Sequence, residues 1–203
     1  SGFRVDAVPF LIELEESRER GNQDEEYNYE YLREFRDFLS WQKGDAVLLA
    51  EANLSRETQL AYFGDGDRMH MVLNFLVNQH IFLSIAQESA KPLTESLERT
   101  PRLPEHGAWG VFLRNHDELS LSRLSEAERE ECFRQFGPEE RMRIFGRGVR
   151  RRLAPMLGGD RRKLLFAYSL LFTLPGTPVI WYGEEIGMGD NLDLTERWSV
   201  RTP

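Results

Sequence analysis

Apolar and polar positions along the chain predict short strands that alternate with helices. Apolar runs too short for a helix predict strands at residues 2–6, 46–50, 69–75, 109–113 and 179–182. Helical spacing of apolar residues, with helix start signals, predicts helices at residues 27–41, 55–63, 78–89, 92–99 and 161–174. Strands that alternate with helices indicate βαβ units and a parallel sheet.

Two segments break this alternation. Residues 13–26 are acidic and polar, contain a Gly-Asn pair and predict a loop. Residues 125–156 form a long polar excursion with helical character, and Gly-Pro and Gly-Gly breakers lie at 137–138 and 158–159. The expected organisation is one domain over residues 1–203, with a helical excursion at about 120–160.

Three of the apolar runs end in an acidic residue. The runs at 3–6, 47–51 and 111–117 end in Asp6, Glu51 and Asp117. A parallel barrel opens its active site at the carboxyl ends of its strands, so these carboxylates are expected on one rim. Three carboxylates with an arginine and a histidine beside them suit acid–base or glycosyl chemistry.

Each acid also has a purely structural interpretation. Asp6 could cap the turn after its strand, but Arg4 lies two residues earlier and faces the same side of the strand. Pairing with that guanidinium keeps a carboxylate ionised, as a nucleophile requires. Glu51 could support the start of the next helix, or it could be a general acid between Ala50 and Ala52.

The segment Asn115-His116-Asp117 is compatible with a simple turn, because Asn and Asp favour turns. The functional alternative is that His116 and Asp117 contact sugar hydroxyls and developing charge. The placement of all three acids at the ends of separate predicted strands favours the functional interpretation.

Other polar clusters favour structural interpretations, and no metal site is expected. Asp65 and Asp67 lie in a Gly-Asp-Gly-Asp turn that has too few oxygen ligands for a calcium loop. His70 and His80 lack a second ligand pattern for zinc. The basic stretch 147–163 is expected to be a solvated or salt-bridged face.

Residues 181–185 follow the last predicted strand onto the same rim. Trp181 and Tyr182 could stack on a sugar there, and a core position for Trp181 is the open alternative.

Bulk properties narrow the class of partner. The net charge of −8 argues against nucleic acid, which needs a basic surface. No apolar stretch is long enough to span a membrane, and no secretory signal is visible. The single cysteine, Cys132, excludes an internal disulfide and suits a reducing compartment. A cytoplasmic protein without nucleic-acid or membrane partners is expected, and a homo-oligomer stays open.

The sequence resembles the α-amylase superfamily of retaining glycosidases and transglycosidases over nearly its whole length. Residues 2–7 resemble the nucleophile motif, 49–52 the acid/base motif and 115–117 the third-carboxylate motif, in the family's order and spacing. Within the superfamily, the stretches 48–53, 112–119 and 182–188 are most similar to trehalose synthases, which interconvert maltose and trehalose. Ser1 and the acidic loop at 15–30 depart from the pattern and leave substrate choice open.

The resemblance implies a role for each motif residue. Asp6 is the expected nucleophile, Glu51 the acid/base and Asp117 the stabiliser of the transition state, while Arg4 and His116 contact substrate or orient the acids. The implied substrate is a small sugar, namely maltose, trehalose or a short α-glucan, and no cofactor is implied.

The resemblance also implies a fold and leaves alternatives in function. The expected fold class is α/β, the C-terminal part of a TIM (β/α)8 barrel at about strands 4–8, and the chain is apparently a fragment of a longer enzyme. The alternatives to isomerisation are hydrolysis by an α-glucosidase or α-amylase, and a non-catalytic sugar-binding or scaffold relative.

Overall fold

The computed structural model of the chain describes residues 1–13 and 28–201. Two compact units are formed, one by Ser1–Asn74 with Thr100–Gly110 and the other by Phe75–Arg99 with Val111–Pro203. The predicted loop at residues 13–26 lies outside the described residues, except for its first residue. Residues 15–27 of the acidic loop at 15–30 also lie outside them. The single domain over residues 1–203 therefore stays a prediction.

The first unit is built on a parallel sheet. Strands β1 (Gly2–Val5), β2 (Val47–Ala50), β3 (Met71–Leu73) and β4 (Ala108–Phe112) pair in that order, and the part of β4 up to Gly110 belongs to this unit. The register is continuous along β1, where Gly2 lies opposite Val47 and Val5 opposite Ala50. Strands β1 and β2 end directly before Asp6 and Glu51, close to the predicted ends, although β1 is largely exposed.

Two helices accompany this sheet in the described residues. Helix α1 (Val8–Ile12) was not predicted, although Pro9 suits the first turn of a helix. Helix α2 (Glu30–Gln42) buries Leu32 and Leu39. The predicted short helix at 55–63 is only a 3₁₀ turn at Gln59–Tyr62.

Helix α2 was predicted from an apolar stripe of Tyr27, Tyr31, Phe35, Phe38 and Leu39, and three of the four members that the structure describes are exposed. Tyr31, Phe35 and Phe38 are exposed, Trp41 even more so, and only Leu39 of the stripe is buried within its unit. Helix geometry accounts for this: Leu32 and Leu39 lie seven residues apart on one side of the helix, and this side is the buried one.

The second unit contains mainly helices. Helix α3 (Phe75–Ala86) is buried over most of its length, and its Phe82 ring meets Phe136 edge-on with a centroid separation of 5.4 Å. Helices α4 (Lys91–Glu98), α5 (Glu126–Phe136), α6 (Leu153–Met156), α7 (Arg161–Thr173) and α8 (Trp198–Arg201) follow along the chain. Ser125 and Glu128 form a capping box that starts α5.

The excursion at 125–156 is helical only in part. A small antiparallel sheet, which the sequence pattern did not predict, joins β5 (Leu119–Ser120), β6 (Arg143–Ile144) and β7 (Gly148–Val149), with β7 in the middle. A 3₁₀ turn at Glu140–Met142 precedes β6. Strands of two residues are too short to show a period, which is why the pattern missed them.

The last strand is shifted by two residues at its start and three at its end from the predicted 179–182, and the two overlap only at Val179. Strand β8 (Thr177–Val179) is the neighbour of β4 in the sheet and contains Pro178. A proline is tolerated where a strand's N–H makes no ladder hydrogen bond. Among the described helices, none is both long enough and apolar enough to cross a membrane.

His70 links two strands of the first unit and makes its stability depend on pH. Its Nδ1 accepts a hydrogen bond of 3.0 Å from the backbone N–H of Leu48. Burial, and then the charge of Arg36, lower the pKa of His70 below its usual value. At pH values above the ordinary histidine pKa, the neutral ring therefore stabilises the folded state. This stabilisation is lost as the pH falls through the lower pKa that His70 has in the folded protein.

We expect the free energy of unfolding to fall between about pH 7.5 and about pH 5, and to fall less in His70→Asn. The asparagine amide oxygen can accept the same hydrogen bond but does not titrate. Urea unfolding at the two pH values measures both proteins. An equal decrease in the two would contradict a role for His70 in the pH dependence.

Candidate active site

Three charged side chains meet at the carboxyl ends of β1 and β2 in the first unit. Nη2 of Arg4 donates to Oδ1 of Asp6 at 2.8 Å and also forms an ion pair with Oε2 of Glu51. Carboxylate oxygens of Asp6 and Glu51 lie within 4.8 Å of one another. The Glu51 side chain is 13% exposed and that of Asp6 is 73% exposed. Arg4 therefore bridges a nearly buried acid and an open one.

Backbone hydrogen bonds fix the positions of these acids. The N–H of Glu51 donates to the carbonyl of Val5 at 3.0 Å, and the N–H of Val8 donates to the carbonyl of Glu51 at 3.2 Å. Ala7, which follows Asp6, has a left-handed backbone with φ of 45° and turns the chain at once into helix α1. Asp6 thus lies on a sharp turn between a strand and a helix, where its side chain is held at the strand end.

In the second unit, a loop after β4 carries His116 and Asp117. The fully buried Arg114 donates from Nη2 to the carbonyl of Asp117 at 2.6 Å and from Nε to the carbonyl of Arg151 at 2.9 Å. Asn78 of helix α3 donates to the carbonyls of Phe112 and Leu113 at 2.7 and 3.0 Å. The loop is therefore attached to its own unit by buried side chains on both sides.

Asp117 faces two arginines and a histidine. Arg201 Nη2 donates to its Oδ1, Arg197 Nε lies 3.6 Å from the same oxygen, and His116 Nε2 lies 3.6 Å from Oδ2. The next residue, Glu118, is 7% exposed and accepts two hydrogen bonds from Arg197, at 2.7 and 3.2 Å. The two adjacent carboxylates are thus neutralised by two arginines that lie about 80 residues away in sequence.

The middle of the basic stretch forms internal bonds. Arg150 donates to the carbonyls of Leu192 and Leu194, and Arg151 pairs with Asp190 at 3.1 Å. Arg152 is buried and its Nη1 pairs with Oε1 of Glu184 at 3.2 Å. Arg151 and Arg152 agree with the salt-bridged interpretation for their part of the stretch, whereas Arg150 bonds to backbone carbonyls of the segment that carries Arg197 and Arg201.

Burial shifts the ionisation of the groups beneath the Asp117 loop. It lowers the pKa of Arg114 to about 10, although the nearby carboxylates of Glu184 and Glu118 act in the opposite direction. It also raises the pKa of Glu184, opposed by the positive charges of Arg114 and Arg152. The charged states of Arg114 and Glu184 therefore support one another in a region with little water.

The aromatic residues after β8 lie close to the same loop in the second unit. The rings of His116 and Trp181 have a centroid separation of 5.7 Å, and Trp181 contacts Tyr182 at 4.5 Å. The hydroxyl of Tyr182 donates to the carbonyl of Arg201 at 3.0 Å. Trp181 is thus next to a predicted site residue, whereas sugar stacking by either ring stays a prediction.

A family model described as the catalytic domain of alpha-amylase matches residues 1–136 of the chain. The chain belongs to the α-amylase catalytic-domain family. The predicted resemblance to this family is therefore confirmed.

Relatives with curated names are similar to the α-amylase-family chain along its whole length. A trehalose synthase from Thermus thermophilus is 44% identical over 203 residues, and a trehalose synthase/amylase from Mycolicibacterium smegmatis is 43% identical over 206 residues. These alignments include 100% of the chain but 21% and 34% of the two relatives. The chain thus spans between a fifth and about a third of their length.

Solved structures share the fold at low sequence identity. The α-amylase from H. orenii superposes with a TM-score of 0.63 at 22% identity and covers 100% of the chain and 33% of that structure. Sucrose 6F-phosphate phosphorylase from Thermoanaerobacter thermosaccharolyticum gives 0.64 at 18% identity, over 83% of the chain and 37% of that structure. The predicted α/β class and the origin in an amylase-family barrel are confirmed, while the assignment to barrel strands 4–8 stays a prediction.

The predicted site residues lie where the strand pattern placed them, and their roles stay predictions. Each predicted acid lies directly after its strand or in the loop that follows, and Arg4 contacts both Asp6 and Glu51. Arg197 and Arg201 were missed because they belong to no strand-end motif. No pattern in the sequence near Arg197 and Arg201 indicated their pairing with the acids after β4.

Proposed function

We propose that the α-amylase-family chain supplies the nucleophile, the acid/base and the third carboxylate of a retaining enzyme that acts on α-glucosides. The observation that carries this proposal is the pair of carboxylates bridged by Arg4, with oxygens within 4.8 Å of one another. Retaining glycosidases place their two carboxyl groups about 5–5.5 Å apart, whereas inverting enzymes need about 6.5–9.5 Å for a water molecule. The short separation supports retention.

The proposed reaction proceeds in two displacements. A carboxylate oxygen of Asp6 attacks the anomeric carbon, the glycosidic C–O bond breaks, and Glu51 donates its proton to the leaving oxygen. In the second step Glu51 removes a proton from the incoming hydroxyl, whose oxygen attacks the same carbon and releases Asp6. Asp117 and His116 stabilise the positive charge that develops on the sugar ring and bind its hydroxyls.

The exposures of the two acids suit these roles. The Glu51 side chain is 13% exposed and pairs with Arg4, as suits an acid that delivers a proton from the wall of a site. The Asp6 side chain is 73% exposed, so a sugar can reach its carboxylate as a nucleophile requires.

The acceptor decides the net reaction. If the released glucose turns and attacks through another hydroxyl, maltose becomes trehalose. If water attacks instead, the products are two glucose molecules. We favour isomerisation because relatives named trehalose synthase match the whole chain at 40–44% identity. Hydrolysis is the second candidate, since a relative at 43% identity is named trehalose synthase/amylase.

A chimera tests the proposal. In it the chain replaces the matching segment of the Thermus thermophilus trehalose synthase, and the products formed from maltose are separated chromatographically. Trehalose as the main product supports isomerisation, and glucose alone supports hydrolysis. A folded chimera that converts no maltose, next to an active parent enzyme, would contradict the proposed function.

The chain of 203 residues alone is expected to convert negligible maltose. The reason is that it spans between a fifth and about a third of the relatives' length, and substrate binding in such a barrel draws on loops from many strands. The same chromatographic assay measures this, with the parent trehalose synthase as the positive control. Robust conversion by the chain alone would overturn the expectation.

A further inference from the structure

The hairpin between β6 and β7 has an unusual residue at its tip. The loop comprises residues 145–147, and the N–H of Arg147 donates to the carbonyl of Ile144 at 3.2 Å. Phe145 and Gly146 are the two central residues of this turn, and both have positive φ, 56° and 62°. Such turns favour Asn, Asp and Gly, because a side chain as large as phenylalanine is strained there. Phe145 is also 53% exposed. Backbone strain at an exposed aromatic residue is typical of functional sites.

Phe145 lies next to the charged residues around Asp117. The guanidinium carbon of Arg197 lies 5.3 Å from the centre of its ring. The same guanidinium donates two hydrogen bonds to Glu118, at 2.7 and 3.2 Å, and its Nε lies 3.6 Å from Asp117. Glu118 therefore holds Arg197 in one orientation, and Arg197 covers one face of the Phe145 ring.

Arg197 keeps a donor that its unit does not use. Its hydrogen bonds to the described residues come from Nε and Nη2, and none comes from Nη1. The Arg197 side chain is 39% exposed, so a ligand can reach this group. An aromatic face with an adjacent, oriented donor is a combination that suits a sugar ring, which has an apolar C–H face and hydroxyl groups at its edge.

We propose that Phe145 and Arg197 form a subsite for the second sugar ring of a disaccharide, the ring that leaves in the first step and attacks in the second. The ring face of Phe145 contacts the C–H face of this hexose, and Nη1 of Arg197 donates to one of its hydroxyls. The inference rests on the proposed function, because it takes Asp117 to lie beside the reacting ring.

Other exposed phenylalanines of the same unit do not share these features. Phe166 and Phe172 lie on helix α7 with regular helical backbone. In the described part of the chain, Phe145 is the one phenylalanine with positive φ. Phe172 is therefore a suitable control for the loss of an exposed ring.

The test compares two substrates of the chimera described above. Maltose has a second sugar ring, whereas α-glucosyl fluoride releases only fluoride. Phe145→Asn removes the ring and keeps a residue that the turn favours. We expect KM for maltose to rise about tenfold, kcat/KM for α-glucosyl fluoride to change far less, and Phe145→Tyr to restore KM. Phe172→Ala is expected to change neither value.

The outcomes separate the two proposals. A folded chimera that turns over neither substrate refutes the proposed function. A chimera that turns over both substrates, with Phe145→Asn affecting both equally or neither, overturns the subsite alone.

Should the chimera not fold, saturation-transfer NMR of maltose with the 203-residue chain serves instead. Transfer that is lost in Phe145→Asn supports the subsite, and equal or absent transfer in both proteins overturns it.

Discussion

Asp6→Asn in the chimera is expected to reduce turnover of maltose by a factor on the order of 10⁴ or more, without a loss of stability. The amide is a far weaker nucleophile than the carboxylate, so the covalent intermediate does not form. The side chain of Asp6 is 73% exposed, which means that the substitution leaves no buried group without a partner. Initial rates from maltose measure the effect, and thermal unfolding checks the fold.

Asp65→Asn is the matched control, because Asp65 is an exposed acid of the same unit in the Gly-Asp-Gly-Asp turn. The chimera with Asp65→Asn should convert maltose at the same rate as the chimera without a substitution. Asp6→Ala adds a chemical test: azide can enter the space of the lost carboxylate and attack the anomeric carbon of α-glucosyl fluoride. Formation of β-glucosyl azide identifies Asp6 as the nucleophile, and a substantial residual rate in Asp6→Asn would refute that role.

Arg152→Met is expected to lower the free energy of unfolding by about 3–5 kcal/mol. Arg152 donates to the carbonyls of Tyr182 and Val200, at 2.8 and 3.1 Å, and pairs with Glu184 while almost completely buried. Removing it leaves the Glu184 carboxylate in a region with little water without this cationic partner, and it takes one donor away from each of the two carbonyls. Urea unfolding of the chain measures the loss.

The pH dependence of this loss follows from Glu184. Burial already raises the pKa of Glu184, and removing Arg152 takes away an opposing positive charge. The folded variant therefore binds a proton more readily than the unfolded chain. Its stability should fall as the pH rises through the raised folded pKa, so the difference from the unsubstituted protein is larger at neutral than at acidic pH.

Two further variants separate this mechanism from a general effect of losing an arginine. Arg141 forms an exposed pair with Glu139 at 2.7 Å, and Arg141→Met should cost about 0–1 kcal/mol. The double variant Arg152→Met with Glu184→Leu should recover part of the stability, because the Glu184 carboxylate is removed while the buried Arg114 keeps other carboxylates nearby. A cost for Arg152→Met as small as that for Arg141→Met would show that the buried pair contributes little.

The strand ends were predictable because a local pattern determines them. Four or five apolar residues followed by an acid form a buried strand and the turn after it, as at Val47–Ala50 and Glu51. The helices at 75–86 and 161–173 were predictable for the same reason, since their apolar spacing is continuous. The ends of these two helices in the structure differ from the predicted ends by at most three residues.

Features that depend on distant residues were not predictable. The pairing of Arg197 with Glu118 joins residues 79 apart in sequence, and that of Arg201 with Asp117 joins residues 84 apart. No spacing rule connects such positions. The buried side of helix α2 was predicted wrongly, because the hydrophobic pattern shows that a stripe exists but not which part of it meets the sheet.

The attachment of the Asp117 loop has a consequence for the entropy of binding. Asn78, Arg114 and Arg201 hold this loop to helix α3, to the backbone near Arg151 and to the end of the described chain. A segment that is already ordered loses little conformational freedom when a ligand binds, so little of the interaction energy is consumed in ordering it. A sugar that meets this loop therefore retains more of its contact energy as affinity than it would on a loop that must first become ordered.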